Sequence, residues 1–117
     1  MPSDDQVVTV ETAADDVVLI SVRGSLDEWA GCDALVRALT RAAQGGGKQT
    51  VVDLSGMTFA DSAALHALLH GQRKHTASGV PLVLAGPLHP TVRRLFEVTG
   101  THTAFHFADS VEQTRSC

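Results

Sequence analysis

The sequence predicts an α/β domain with a mixed, mostly parallel sheet of about five strands and about four helices. Short β-branched runs alternate with longer segments whose apolar residues recur at helical spacing, which is the pattern of strand–helix–strand units. The first two strand-like runs are only a few residues apart, which favours an antiparallel hairpin. The 117 residues, 44% hydrophobic and 19% charged, have a globular composition and suffice for one core.

The chain is predicted to begin with this hairpin. Valines within residues 6–11 predict the first strand, and the largely aliphatic run 17–22 predicts the second, largely buried on both faces. Residues 13–16, two alanines followed by two aspartates, are predicted to form the turn between them. Gly24 is expected to end the second strand, because glycine weakens a strand interior.

Two helix–strand units are expected next. The apolar residues of 30–44 recur with a helical period and predict a helix that stops at Gly45. Residues 50–54 predict the third strand. A second helix over about 61–77 leads to a fourth strand over 80–85.

The last third of the chain repeats the alternation. A third helix is predicted to begin near Pro90, where the missing N–H of proline breaks no helical hydrogen bond, and to be capped by Gly100. Residues 104–107 predict the fifth strand. Asp109 opens a pattern that resembles a capping box and predicts a short last helix.

Charge and composition exclude several classes of partner. Nine basic and 13 acidic residues give a net charge of −4, which disfavours nucleic acids and anionic membranes. No apolar stretch approaches the ~20 residues of a membrane span, and the acidic residues 1–5 are no secretory signal. Two lone cysteines, Cys32 and Cys117, suit a reducing cytoplasm. We therefore expect a cytoplasmic domain over 6–117 behind a mobile tail at 1–5.

Patterns for catalysis or metal binding are incomplete. The glycine-rich residues 45–48 follow a helix and lack the spacing of a phosphate-binding loop. His66 and His70 have the spacing of zinc ligands, but Ala67 stands where zinc proteases carry their catalytic glutamate. Ser62 and His66 could touch on one helix, with Asp61 beside them, but the chain has no G-x-S-x-G nucleophile elbow, so the pattern for a hydrolase is weak. We expect no enzyme, cofactor or metal, although a sensor or hydrolase using some of the six histidines stays open, with metal analysis as its test.

The most informative stretch is 51–65, where a buried strand ends in a polar turn and a helix begins. Asp61 is a suitable N-cap that can accept from the N–H of Ala63 or Ala64. Ser62 then stands exposed at the first helical position, at the positive end of the helix dipole. A phosphate there would add about −1.5 to −2 charges without disrupting the helix. The plainer interpretation is that Asp61 and Ser62 only begin a helix.

This stretch resembles the signature of the STAS domain family, named for sulfate transporters and anti-sigma factor antagonists. The signature is a strand, Asp-Leu-Ser, a turn and Phe-x-Asp-Ser, here at residues 53–55 and 59–62. Further segments resemble the family's turn after the second strand, its fourth strand and its segment before the last strand, at 23–27, 83–86 and 95–100. The resemblance spans about residues 7–115 and implies the STAS fold.

The resemblance implies a role in partner switching. An unphosphorylated STAS domain of this kind binds an anti-sigma factor that is also a serine kinase, and a sigma factor is thereby released. The kinase then phosphorylates the STAS serine, here Ser62, which ends the interaction, and a PP2C-type phosphatase restores it. The residues expected to contact the partner are Asp27, Thr58, Asp61, Ser62, Ala63, Ala64 and Leu65. Leu65 has two possible roles, packing inward or presenting an apolar contact.

The signature also departs from the family pattern. Family members read Asp-Ser-Ser-Gly-Leu-Gly or Asp-Ser-Thr-Gly-Leu, whereas this chain has Ala63, Ala64 and His66 at the changed positions. The second hydroxyl is lost and both glycines are replaced, which alters the surface expected to meet the kinase. The alternative function is therefore a STAS module without phosphorylation that acts as a structural subunit of a transport or signalling complex.

Overall fold

A computed structural model of the chain describes residues 8–12, 16–26 and 31–112. These residues form five strands, β1 to β5, at Val8–Thr12, Val17–Leu26, Gln49–Ala60, Leu82–Ala85 and His106–Ala108. The described residues contain three α-helices, α1 to α3, at Cys32–Gln44, Ser62–Ser78 and Pro90–Thr99, followed by a 3-10 turn at Thr101–Ala104. The α/β alternation is confirmed, with three α-helices in the described residues where about four were expected.

One mixed sheet joins all five strands in chain order. β1 pairs antiparallel with β2, which confirms the hairpin, and the pairs β2–β3, β3–β4 and β4–β5 are parallel. Ile20 of β2 lies opposite Val52 of β3, and Val52 lies opposite Leu84 of β4. The side chains of these three register partners therefore share one face of the sheet, since side chains alternate along each strand.

The core lies between that face and the helices. Ile20, Val52 and Leu84 are fully buried and belong to one hydrophobic cluster with Leu39 of α1 and Phe96 of α3, and α2 contributes further members. All three helices thus cover the same face of the sheet. Because β3, β4 and β5 are parallel, their carboxyl ends lie at the same edge of the sheet, where the chain continues into α2 after β3 and into α3 after β4.

Close helix contact depends on a glycine. Gly71 of α2 faces Leu39 of α1, and a Cβ atom built on Gly71 would lie 2.8 Å from the Leu39 Cβ atom. This distance is far below van der Waals contact, so the two helices approach too closely for any side chain at position 71.

Two strand ends predicted from the sequence are wrong. β2 continues through Gly24, which has a φ of 73°, to Leu26, and β3 continues through the expected polar turn to Ala60. The two strands pair along this extension with register shifts, so that Gly24 lies opposite Met57 and Ser25 opposite Phe59. Such bulges accommodate the left-handed Gly24 inside β2. They also allow β2 and β3 to stay paired beyond residue 54, where the sequence predicted a turn.

Smaller boundary differences occur near the chain end. β4 begins at Leu82 rather than 80, because the Val80 N–H bonds the His75 carbonyl instead of a strand. β5 begins at His106 rather than 104, since residues 101–104 form the 3-10 turn. Pro90 does occupy the first turn of α3, and Gly100 caps it with a φ of 73°. None of the described helices is long and apolar enough to cross a membrane.

Several predictions lie outside the described residues. These are the tail at 1–5, most of the hairpin turn at 13–15, Asp27, Gln113 of the last predicted helix, and Cys117. Residues 111–112 are helical, so only the start of that helix is described.

Candidate functional site

The junction between β3 and α2 has the predicted helix start. Asp61 has extended backbone with a φ of −109°, and its Oδ1 accepts a hydrogen bond from the Ala64 N–H at 3.0 Å. The Leu65 N–H donates to the Asp61 carbonyl at 3.1 Å, which is the first bond of the helical ladder. Asp61 is therefore the N-cap, as predicted, and Ser62 is the first helical residue.

Ser62 combines exposure with a favourable electrostatic position. Its side chain is exposed to solvent. The N–H groups of Ser62 and Ala63 precede the first intrahelical bond, so helix geometry leaves them without a partner inside the helix. These N–H groups and the dipole of the 17-residue helix favour negative charge near the hydroxyl, where Asp61 already supplies one carboxylate as the cap. Negative charge is consequently better tolerated on Ser62 than on most exposed hydroxyls.

The predicted contact residues divide into a surface group and a buried pair. Thr58 is exposed, and Asp61 and Ala63 are partly exposed. Ala64 is fully buried and Leu65 is 5% exposed, both within the core cluster. Their side chains therefore face the core rather than a partner. Leu65 takes the inward position, and Ala64 fills core space instead of altering the outer surface.

An exposed phenylalanine beside this surface escaped the sequence analysis. Phe59 is 47% exposed and lies two residues before Asp61. The sequence prediction ended β3 at residue 54 and therefore never tested which face Phe59 would occupy. A longer strand prediction would also have placed Phe59 wrongly. Side chains two residues apart share a face of a regular strand, so buried Met57 predicts a buried Phe59, and the sequence does not reveal the bulges that break this alternation.

The start of α3 is attached to the same edge. The Thr91 Oγ1 donates to the Thr58 carbonyl at 2.8 Å, and the Thr91 N–H donates to the His89 Nδ1 at 3.2 Å. This network connects the N-terminus of α3 to the segment of β3 that leads to Ser62. The end of β3 is thus followed directly by α2 and joined to α3 by the hydrogen bond between Thr91 and Thr58.

The histidines do not assemble into a metal centre in the described part of the chain. His66 and His70 are both exposed on α2. No group of three or more His, Cys, Asp or Glu side chains among the described residues is placed to hold a metal ion. The arrangement therefore offers no third ligand to the pair that the sequence singled out.

His75 is a structural residue that the sequence analysis missed. It is 1% exposed, its Nδ1 lies 2.8 Å from the Gly71 carbonyl and its Nε2 lies 2.8 Å from the Thr50 Oγ1. A carbonyl can only accept, so Nδ1 carries the proton and Nε2 accepts from the Thr50 hydroxyl. Burial lowers the pKa of His75, opposed by the hydrogen bond to Gly71. The neutral imidazole thus joins α2 to the start of β3.

Comparisons with known proteins agree with this architecture. The family model described as "Mlab, STAS domain" matches residues 9–107. An anti-sigma factor antagonist from Mycobacterium paratuberculosis is 24% identical with a TM-score of 0.79, covering 93% of this chain and 90% of that one. No curated protein matches the sequence.

Two further solved structures are of the same protein in two states. The anti-sigma factor antagonist SpoIIAA in its unphosphorylated form is 21% identical with a TM-score of 0.71, covering 92% of this chain and 93% of that one. The Bacillus cell fate determinant SpoIIAA in the phosphorylated form is 22% identical with a TM-score of 0.71, covering 93% and 96%. At these identities the likeness is one of fold.

Proposed function

The chain belongs to the STAS domain family, and from that premise we propose that it is an anti-sigma factor antagonist regulated by phosphorylation of Ser62. In this proposal the unphosphorylated protein binds an anti-sigma factor serine kinase in the cytoplasm, which frees a sigma factor. The kinase transfers the γ-phosphoryl group of ATP to the Ser62 oxygen, leaving ADP and a phosphoserine that no longer docks. A PP2C-type phosphatase hydrolyses the phosphoserine and restores binding. The protein itself acts as a ligand and a kinase substrate rather than as an enzyme.

The observation that carries the proposal is the exposed Ser62 side chain at the first position of α2. The N–H groups of Ser62 and Ala63 have no partner within the helical ladder, whereas the side chains of Ala64 and Leu65 are packed in the core. A phosphate at this position gains from the helix dipole and displaces no buried side chain. The added charge would therefore change the surface while the fold stays intact.

Docking would respond to that charge because the described residues next to Ser62 in the chain are nearly uncharged. Thr58, Phe59 and Ala63 carry no charge, and Asp61 is the one acidic residue within residues 58–63. A partner that covers this patch must remove water from it, and a dianion buried without a cation opposite it is strongly unfavourable. Phosphorylation would thus oppose binding by desolvation and by repulsion from acidic groups of the partner.

Similar solved structures support the proposal by analogy. SpoIIAA, an anti-sigma factor antagonist with this fold, exists in an unphosphorylated and a phosphorylated form. The fold is thus compatible with phosphorylation in a relative, and Ser62 is the serine that the family signature assigns to this role.

The test is to incubate the protein with ATP and an anti-sigma factor serine kinase from the same organism, and to map phosphate by mass spectrometry. We expect one phosphate on Ser62 that is absent from the Ser62→Ala variant. Ser55→Ala is the matched control, since Ser55 is exposed near the same edge of the sheet and should leave phosphorylation unchanged. Phosphate on another residue, or none with an active kinase, would contradict the proposal.

A second candidate function rests on the departures from the signature. Exposed His66 lies one turn after Ser62, where the resembling proteins carry glycine, and partly exposed Ala63 replaces their second hydroxyl. Both changes favour a STAS module that serves as a structural subunit of a transport or signalling complex. Co-purification with a transporter ATPase, together with no binding to the kinase, would select this function.

A further inference from the structure

We propose that a cavity between α3 and the edge strand β5 binds a free α-amino acid with an aromatic or branched aliphatic side chain. The cavity has a volume of about 530 Å³ and lies where β4 and β5 end, against one side of α3. Its size falls within the roughly 300–1,000 Å³ of small-molecule sites. The inference is independent of the function proposed for Ser62.

An aromatic wall provides the apolar part of the site. Phe96 and Phe107 line the cavity in an edge-to-face pair with ring centroids 5.3 Å apart, and Leu88 adds an aliphatic surface. Phe96 is 2% exposed, so its ring is fixed in the core, whereas Phe107 is 39% exposed. An exposed ring at the mouth of a cavity gains by covering an apolar ligand, since burial removes that area from water.

Opposite charges at the rim select the class of ligand. Arg93 and Glu97 lie one turn apart on α3, line the cavity and are both exposed. No ion pair between described residues engages either side chain. His102 and Asp109 line the same cavity, where Asp109 already has a partner within the protein, so Arg93 and Glu97 are the charged side chains that remain for a ligand.

A zwitterion can pair with both Arg93 and Glu97, whereas an anion or a cation can pair with only one of them. A ligand carboxylate can accept two parallel hydrogen bonds from the Arg93 guanidinium, and a ligand ammonium can donate to Glu97. A simple anion would lie beside the Glu97 carboxylate, and a simple cation would lie beside the Arg93 guanidinium. An amino acid places both charges on one carbon and leaves its side chain for Phe107 and Leu88, with the buried Phe96 ring packed behind Phe107.

The probe is L-phenylalanine, titrated into the full chain while binding is followed by calorimetry and amide NMR shifts. N-acetyl-L-phenylalanine lacks the ammonium, and L-phenylalaninamide lacks the carboxylate. We expect saturable binding of L-phenylalanine and roughly 10- to 100-fold weaker binding of each derivative, since one charge-assisted hydrogen bond is lost in each case.

Variants assign each contact. Arg93→Gln should weaken L-phenylalanine about tenfold or more and leave the already weak amide unchanged, whereas Glu97→Gln should weaken L-phenylalanine and leave the N-acetyl form unchanged. Arg94→Gln is the matched control, because Arg94 is exposed on the same helix but is not among the residues lining the cavity. Unfolding temperatures equal to that of the parent would exclude a folding defect as the cause.

Three outcomes would overturn the inference. The first is that millimolar L-phenylalanine gives no saturable binding. The second is that all three ligands bind equally, which would mean that neither charge of the amino acid is recognised. The third is that Arg94→Gln weakens binding as much as Arg93→Gln does, which would place the ligand elsewhere.

Discussion

Ser62 and Ser78 stand at the two ends of α2, and the same substitution at each measures how the helix responds to charge. Both are exposed, and the helix of 17 residues separates them by about 25 Å at 1.5 Å per residue. Ser62→Glu places a negative charge at the positive end of the dipole, and Ser78→Glu places it at the negative end. The intrinsic helix propensity changes alike in both variants and cancels in the comparison.

The size of the effect follows from the dipole. A charge near a helix terminus contributes about 0.3–1 kcal/mol, with opposite signs at the two ends. The two variants should therefore differ by about 0.6–2 kcal/mol in free energy of unfolding, with Ser62→Glu the more stable. At about 4 °C per kcal/mol for a domain of this size, the unfolding temperatures should differ by about 2–8 °C.

Thermal unfolding at low and high salt is the assay. The difference should shrink in 1 M salt, because the screening length falls to about 3 Å from about 10 Å at 0.1 M. Equal unfolding temperatures for the two variants, or loss of the fold in Ser62→Glu alone, would refute the reasoning that this helix start tolerates charge.

Three further predictions concern the framework around the site. The free energy of unfolding should fall as the pH drops below 6.5, because the pKa of His75 is lowered in the folded state and the unfolded chain takes up the proton first. This dependence of stability on pH should be weaker in His75→Gln. An unchanged dependence would contradict the buried neutral imidazole. Gly71→Ala should lower the free energy of unfolding, measured in urea, by about 1 kcal/mol, because the clash with Leu39 exceeds the gain in helix propensity. A more stable variant would contradict the close helix contact. Asp61→Ala should lower the free energy of unfolding by about 1 kcal/mol through loss of the N-cap, and no change would argue against the cap.

Local chemistry made much of the fold and of the helix start predictable. The β-branched run of β2, the apolar period of α1 and the glycine at position 100 each act through neighbouring residues, so the sequence carries their signal directly. The same holds for Asp61, whose cap depends on an N–H only three residues away. Ser62 was placed correctly for that reason.

Features that depend on distant pairing were not predictable. β3 runs to Ala60 because β2 pairs with it through bulges, and Ser55, Gly56 and Thr58 give no hint of that partner. Phe59 was missed as an exposed residue for the same cause. No sequence signal separates His75 from the other histidines, and its burial depends on the approach of Thr50 from β3.

The most direct test of the regulatory account is the affinity of the protein for the anti-sigma factor kinase, measured before and after Ser62 is phosphorylated. We expect tight binding of the unphosphorylated protein and about 100-fold weaker binding of the phosphoprotein, since burying like charges opposes docking by several kcal/mol. Treatment with a phosphatase should restore the affinity of the unphosphorylated protein. Equal affinities for the two forms would mean that Ser62 phosphorylation does not regulate docking.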